Sequence, residues 1–130
     1  MIPLDKRRAA LDLTQAYSLE VSAKAMPALT DAATRIAPGS IVSVPYLPGE
    51  DDDARLAAAR AIRALGFTPM PHPAARRISS LDELESFIRC AVVVAGVGHC
   101  LVIAVDSGTS MVPLSYCASL IDSGLFLRAG

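Results

Sequence analysis

The chain has no tryptophan, and three tyrosines and three phenylalanines are its only large aromatic residues. Any core must therefore be built mainly from aliphatic side chains and alanine. Its three cysteines, Cys90, Cys100 and Cys117, are odd in number and show no C-x-x-C spacing. That argues against a disulfide framework and a cysteine zinc site, and they read as packing thiols. Neither sign of charge dominates: twelve Lys and Arg stand against thirteen Asp and Glu, a net charge of -1. The basic surplus of a nucleic-acid binder is missing, so no nucleic-acid partner is expected. No uninterrupted apolar run is long enough to span a bilayer, and MIPLDKRRAALDL has a basic cluster without an apolar h-region or a cleavage site. The expectation is a protein with no membrane partner and a cytoplasmic location. Phosphate-loop and nucleophile signatures are missing too. In AGVGHC, Gly96 and Gly98 precede a strand instead of following one, PLPGEDDDAR lacks a G-K-[ST] ending, and no G-x-S-x-G occurs.

What is present is a chain of 130 residues, 52% hydrophobic, long enough for one ordinary domain with a real core. After an extension over residues 1–16, YSLEV (residues 17–21) reads as a strand with a central acid. SAKAMPALTDAATRI follows as a helix in which Met26, Leu29, Ala33 and Ile36 recur near helical spacing. Pro27 suits the first turn of that helix, and Pro38-Gly39 punctuates its end. A second strand covers residues 41–45. Asp51, Asp52 and Asp53 then precede ARLAAARAIRAL, a helix with a stripe of Leu56, Ala59, Ile62 and Leu65 that closes at Gly66. The acidic triplet reads as helix capping in preference to a cation site. A short strand interrupted by prolines, FTPMPH, leads to Ser80 and Glu83, a capping box opening SLDELESFIRCAVVVAG. The apolar strand LVIAV (residues 101–105) ends in Asp106, and LSYCASLIDSGL forms the last helix, with Gly124 near its end.

Four strand-helix units result, at about residues 17–38, 41–66, 67–96 and 99–130. The class is α/β with a parallel sheet and right-handed crossovers. Periodicity leaves two architectures open, a doubly wound sheet and half of an eight-stranded barrel. In both, functional groups gather beyond the carboxyl ends of the strands. Glu20, Tyr46, His72 and Asp106 stand there. Glu20 interrupts an apolar strand, where a carboxylate needs a partner such as Lys24, an exposed edge, or a chemical task. His72, between Pro71 and Pro73, has no neighbouring Cys or His with which to ligate a metal, and no metal site is assigned. Asp106 has a simpler reading as an Asx turn toward Ser107 and Gly108. Taken together, all four would face one rim.

The order SLEVSAK, IVSVPYLPGED, GFTPMPHPAARRISSLDELESFI, HCLVIAVD and SLIDSGLFLRAG resembles the amino-terminal half of the methylenetetrahydrofolate reductase family, particularly its divergent bacterial-type members. The resemblance covers the chain from about residue 17. It implies a (βα)8 barrel, of which this chain is the amino-terminal (βα)4 half. It also implies bound FAD, reduced by NAD(P)H and passing a hydride to a methylenetetrahydrofolate substrate. In that likeness Glu20 is the acid that assists folate ring opening, Tyr46 and His72 contact the flavin, and Asp106 both contacts the flavin and engages the pterin. The sequence departs from the family where Asp106, there usually preceded by glycine, is flanked by Val105 and Ser107, and where Pro45 stands for a threonine.

A parallel half-barrel has two unpaired edges and an uncovered apolar face. The expectation is therefore a homo-oligomer in which two copies close the barrel, a longer product that carries the missing carboxy-terminal half, or a sheet that flattens with a rearranged final segment. The alternative is a noncatalytic α/β half-barrel serving as an assembly or binding module.

Overall fold

The computed structural model describes residues 15–104 and 117–129. It is an α/β structure whose sheet has three parallel strands in the order β1-β2-β3. The strands are β1 (Leu19–Glu20), β2 (Ile41–Val44) and β3 (Thr68–Pro71). Helix α1 (Met26–Ala32) joins β1 to β2, and α2 (Asp52–Ala64) joins β2 to β3. After β3 come α3 (Leu81–Ala95), α4 (Cys117–Asp122) and α5 (Leu125–Arg128).

Local chemistry sets the helix ends. Pro27 lies in the first turn of α1, where its missing N–H costs nothing. Asp51 caps α2, its carboxylate accepting the Ala54 N–H at 2.8 Å, while Asp52 and Asp53 sit in the first turn beside the positive end of the helix. The acidic triplet is thus a helix start. Ser80 caps α3 by accepting the Glu83 N–H at 3.1 Å, and the Glu83 carboxylate reaches back to the Ser79 N–H at 2.7 Å, one residue earlier than in a standard capping box. Val92, Val93 and Val94 remain helical, and α3 stops only where Gly96 takes a left-handed conformation at φ 60°. A side chain at Gly96 would also press on Arg63, whose guanidinium donates to the Gly96 carbonyl.

Helices α1 and α2 pack on one face of the sheet. Val42 and Val44 point into a cluster with Leu29 of α1 and Ala58 and Ile62 of α2. A second cluster joins Leu84, Phe87 and Ile88 of α3 to Leu120 and Leu125. Ile62 is fully buried, which contributes roughly 2–3 kcal/mol of hydrophobic stabilisation. The buried face of α2 is turned from the expected stripe: Arg55, Ala58, Ala59 and Ile62 are buried, while Leu56 and Leu65 are half-buried. The helix wedges between two clusters, so its inner arc is wider than one stripe.

Three other expectations are corrected. β1 is two residues long, not five. The last helical region is split at Gly124, whose φ of 70° separates α4 from a further helix, α5. The expected fourth strand is, over its described residues, a single parallel bridge between Ile103 and Ala74. Its cause lies in β3. The N–H groups of Thr68 and His72 point toward β2, donating to Ser40 and Val44. The alternate positions, which face the fourth segment, are Pro69, Pro71 and Pro73, and none has an N–H. Leu101 and Ile103 donate to the carbonyls of Pro71 and Pro73, and the return donation comes from Ala75 to Ile103. Among the described residues, two of the three hydrogen bonds of the seam are donated by the Ile103 segment and none by β3 itself.

Candidate functional site

The register decides which side chains share the face away from the helices. Glu20 is paired with Ser43, and Ser43 with Met70. Alternation along β3 puts His72 on the same side as Met70. Glu20 and His72 therefore stand on the face opposite Val42 and Val44, at the carboxyl ends of the two strands that flank β2. Glu20 is exposed on an edge strand and forms no ion pair with Lys24.

His72 is 5% exposed. Its backbone N–H donates to Val44 at 3.0 Å, which holds it at the strand end, and its Nε2 has no hydrogen-bond partner. Burial lowers its pKa from the ordinary 6.5, and the charge on Glu20 opposes that shift. At neutral pH it is an uncharged imidazole, able to give or accept one hydrogen bond at Nε2.

Tyr46 stands at the same rim but not with this pair. Its ring lies 4.5 Å from the Arg55 guanidinium, which is also 5.4 Å from the Phe87 ring, and Arg77 approaches Tyr46 at 5.9 Å. These residues line a cleft of about 300 Å³ between the amino-terminal ends of α2 and α3. Asp106 lies outside the described residues.

Two residues of the cleft were not singled out from the sequence. Arg55 reads as an ordinary charged helix position, yet it is 6% exposed, pairs with Asp52, and leaves its Nε without a partner. Glu50 is buried with both carboxylate oxygens unpartnered. Their signal was faint: an aromatic residue after β2 followed, within one helical turn of a cap, by acid and arginine. Among the described residues, no group of three or more His, Cys, Asp or Glu side chains could hold a metal ion, and no helix is long and apolar enough to cross a membrane. The chain matches no family model.

Proposed function

We propose that this chain forms the amino-terminal (βα)4 half of a flavin-dependent barrel of the methylenetetrahydrofolate reductase type, with Glu20 and His72 at its reaction face. The observation that carries this reading is that Glu20 and a buried His72, whose Nε2 has no hydrogen-bond partner, share the sheet face opposite Val42 and Val44. In a barrel that face is the interior, and the carboxyl ends of its strands hold the chemistry. Strand order lends support. It runs β1-β2-β3 with the Ile103 segment next, whereas a doubly wound sheet reverses its order and carries helices on both faces.

His72 fits a flavin: a neutral, desolvated imidazole with a free Nε2 suits hydrogen bonding to the uncharged edge of an isoalloxazine ring. Glu20 is the carboxyl group that would serve proton transfer to the folate amine at ring opening. Bound FAD supplies the two-electron relay between NAD(P)H and methylenetetrahydrofolate. Asp106 joins by resemblance, and the weight rests on Glu20 and His72, since Tyr46 is engaged by Arg55. A second copy or a carboxy-terminal half closes the sheet edges.

The test is titration of the purified chain with FAD, followed by quenching of flavin fluorescence. Saturable binding is expected, weakened about tenfold in His72→Ala through loss of one buried hydrogen bond, and unchanged in Glu20→Gln. A chain that stays colourless under excess FAD would overturn this reading and favour the noncatalytic module.

A further inference from the structure

The sheet face that carries Glu20 and His72 holds a third polar side chain. Ser43, on the middle strand, is level with Glu20 of β1 and with Met70 of β3, so its side chain points to the same side as theirs. It is 6% exposed, and among the described residues its Oγ has no hydrogen-bond partner. A hydroxyl so nearly buried ordinarily has one. The candidate acceptor lies in the same rung. Glu20 forms no ion pair with Lys24, yet its charge acts on His72, which stands at the end of β3. At the usual strand spacing β1 and β3 are about 10 Å apart, so a carboxylate of β1 that acts on His72 leans across β2. On this face of β2, the residue beneath that path is Ser43.

We propose that Ser43 is a positioning residue for the acid of this face: its hydroxyl donates a hydrogen bond to the Glu20 carboxylate and holds that group over β2. Neighbouring strands run about 4.8 Å apart, and a glutamate side chain folded toward β2 covers that gap. A hydroxyl donating to a carboxylate makes a charge-assisted bond, stronger than one between neutral groups. Ser43 is the side-chain donor of its rung, since Met70 on its other side has no donor to offer. The consequence for chemistry rests on the flavin reading. An acid on an edge strand is otherwise free to turn into solvent, and a carboxyl group fixed over the strand ends is held for proton transfer instead.

The experiment uses His72 as a gauge of where the carboxylate sits. The imidazole is titrated by NMR in the full chain without flavin; the chain has two histidines, so His99→Gln assigns the signals. Two causes set the His72 pKa, burial that lowers it and the Glu20 charge that raises it. In Ser43→Ala the carboxylate turns outward and its hold on His72 weakens, so the pKa should fall by roughly 0.3 or more. Glu20→Gln should lower it at least as far, and Ser43→Ala added to Glu20→Gln should lower it no further. Ser43→Thr keeps the hydroxyl and should titrate like the unmodified chain. If the added methyl prevents folding, the Ser43→Ala and Glu20→Gln proteins decide between them. An unmoved His72 in Ser43→Ala, an equal fall when Glu20 is already glutamine, or a folded Ser43→Thr that titrates like Ser43→Ala would each overturn the proposal. No flavin enters the titration, so its failure and a failure of FAD to bind are separate results.

Discussion

The carboxylate of Glu20 and the imidazole of His72, on strands separated by β2, act on each other through charge: burial lowers the His72 pKa, and Glu20 partly restores it. The unfolded chain therefore takes up the histidine proton first as pH falls. Stability should be level above the ordinary value of 6.5 and decline as pH drops below it, until the folded-state pKa is passed. His72→Gln should flatten that decline. Glu20→Gln should steepen it, because the opposing charge is gone. Urea midpoints between pH 8 and pH 5 check all three, and a His72→Gln profile as steep as that of the unmodified chain would remove His72 as the cause.

The seam between β3 and the Ile103 segment lacks donors from β3. Pro73→Ala supplies an N–H opposite the Leu101 carbonyl. The new bond contributes about 1 kcal/mol, and the proline lost from the unfolded state costs about 0.4–1 kcal/mol, so global stability should change little. Local order should change more. Slower amide hydrogen exchange at Leu101 and Ile103 is the expected result, and unchanged exchange would mean that another feature sets the seam.

The caps at Asp51 and Ser80 hold the helix starts that frame the cleft. Asp51→Ala and Ser80→Ala should each cost about 1 kcal/mol, measured by urea unfolding. The two sites lie on different helices and share no hydrogen bond, so the double variant should show close to additive loss.

Large apolar side chains stand open on α3, α4 and α5: Val93 is 76% exposed, Ile121 60% and Leu127 89%. With the sheet edges at β1 and at the Ile103 segment, they make self-association the expected state. Light scattering across a dilution series should report a dimer or larger species. Ile103→Asp should abolish association and weaken folding. A well-folded monomer at high micromolar concentration would contradict the half-barrel reading.

Much of the architecture was legible because its signals are local. Asp51, Ser80 and Gly66 mark helix ends through chemistry that needs no distant partner, and the alternation of strands with helices selected a parallel sheet. The fourth strand was misread because LVIAV is apolar and branched, while the reason for its reduction lies some thirty residues earlier, in Pro69, Pro71 and Pro73. Those prolines are plain in the sequence, but their effect depends on which neighbour each face of β3 meets. The positions of Glu20 and His72 at strand ends were legible because strand ends can be counted. The cleft was missed because the burial of Arg55 and Glu50 is decided by how α2 and α3 pack, and charged residues near a helix start ordinarily read as solvated.

The alternating prolines also bear on what happens if the Ile103 segment detaches. The edge running on from β3 would then present the carbonyls of Pro71 and Pro73, with no N–H pointing outward from Pro69 to Pro73 and only that of Ala75 beyond. A foreign strand could donate to it but could not receive a full ladder in return, and growth of an intermolecular sheet needs both. The same residues that loosen the native seam make its opened form a poor template for aggregation.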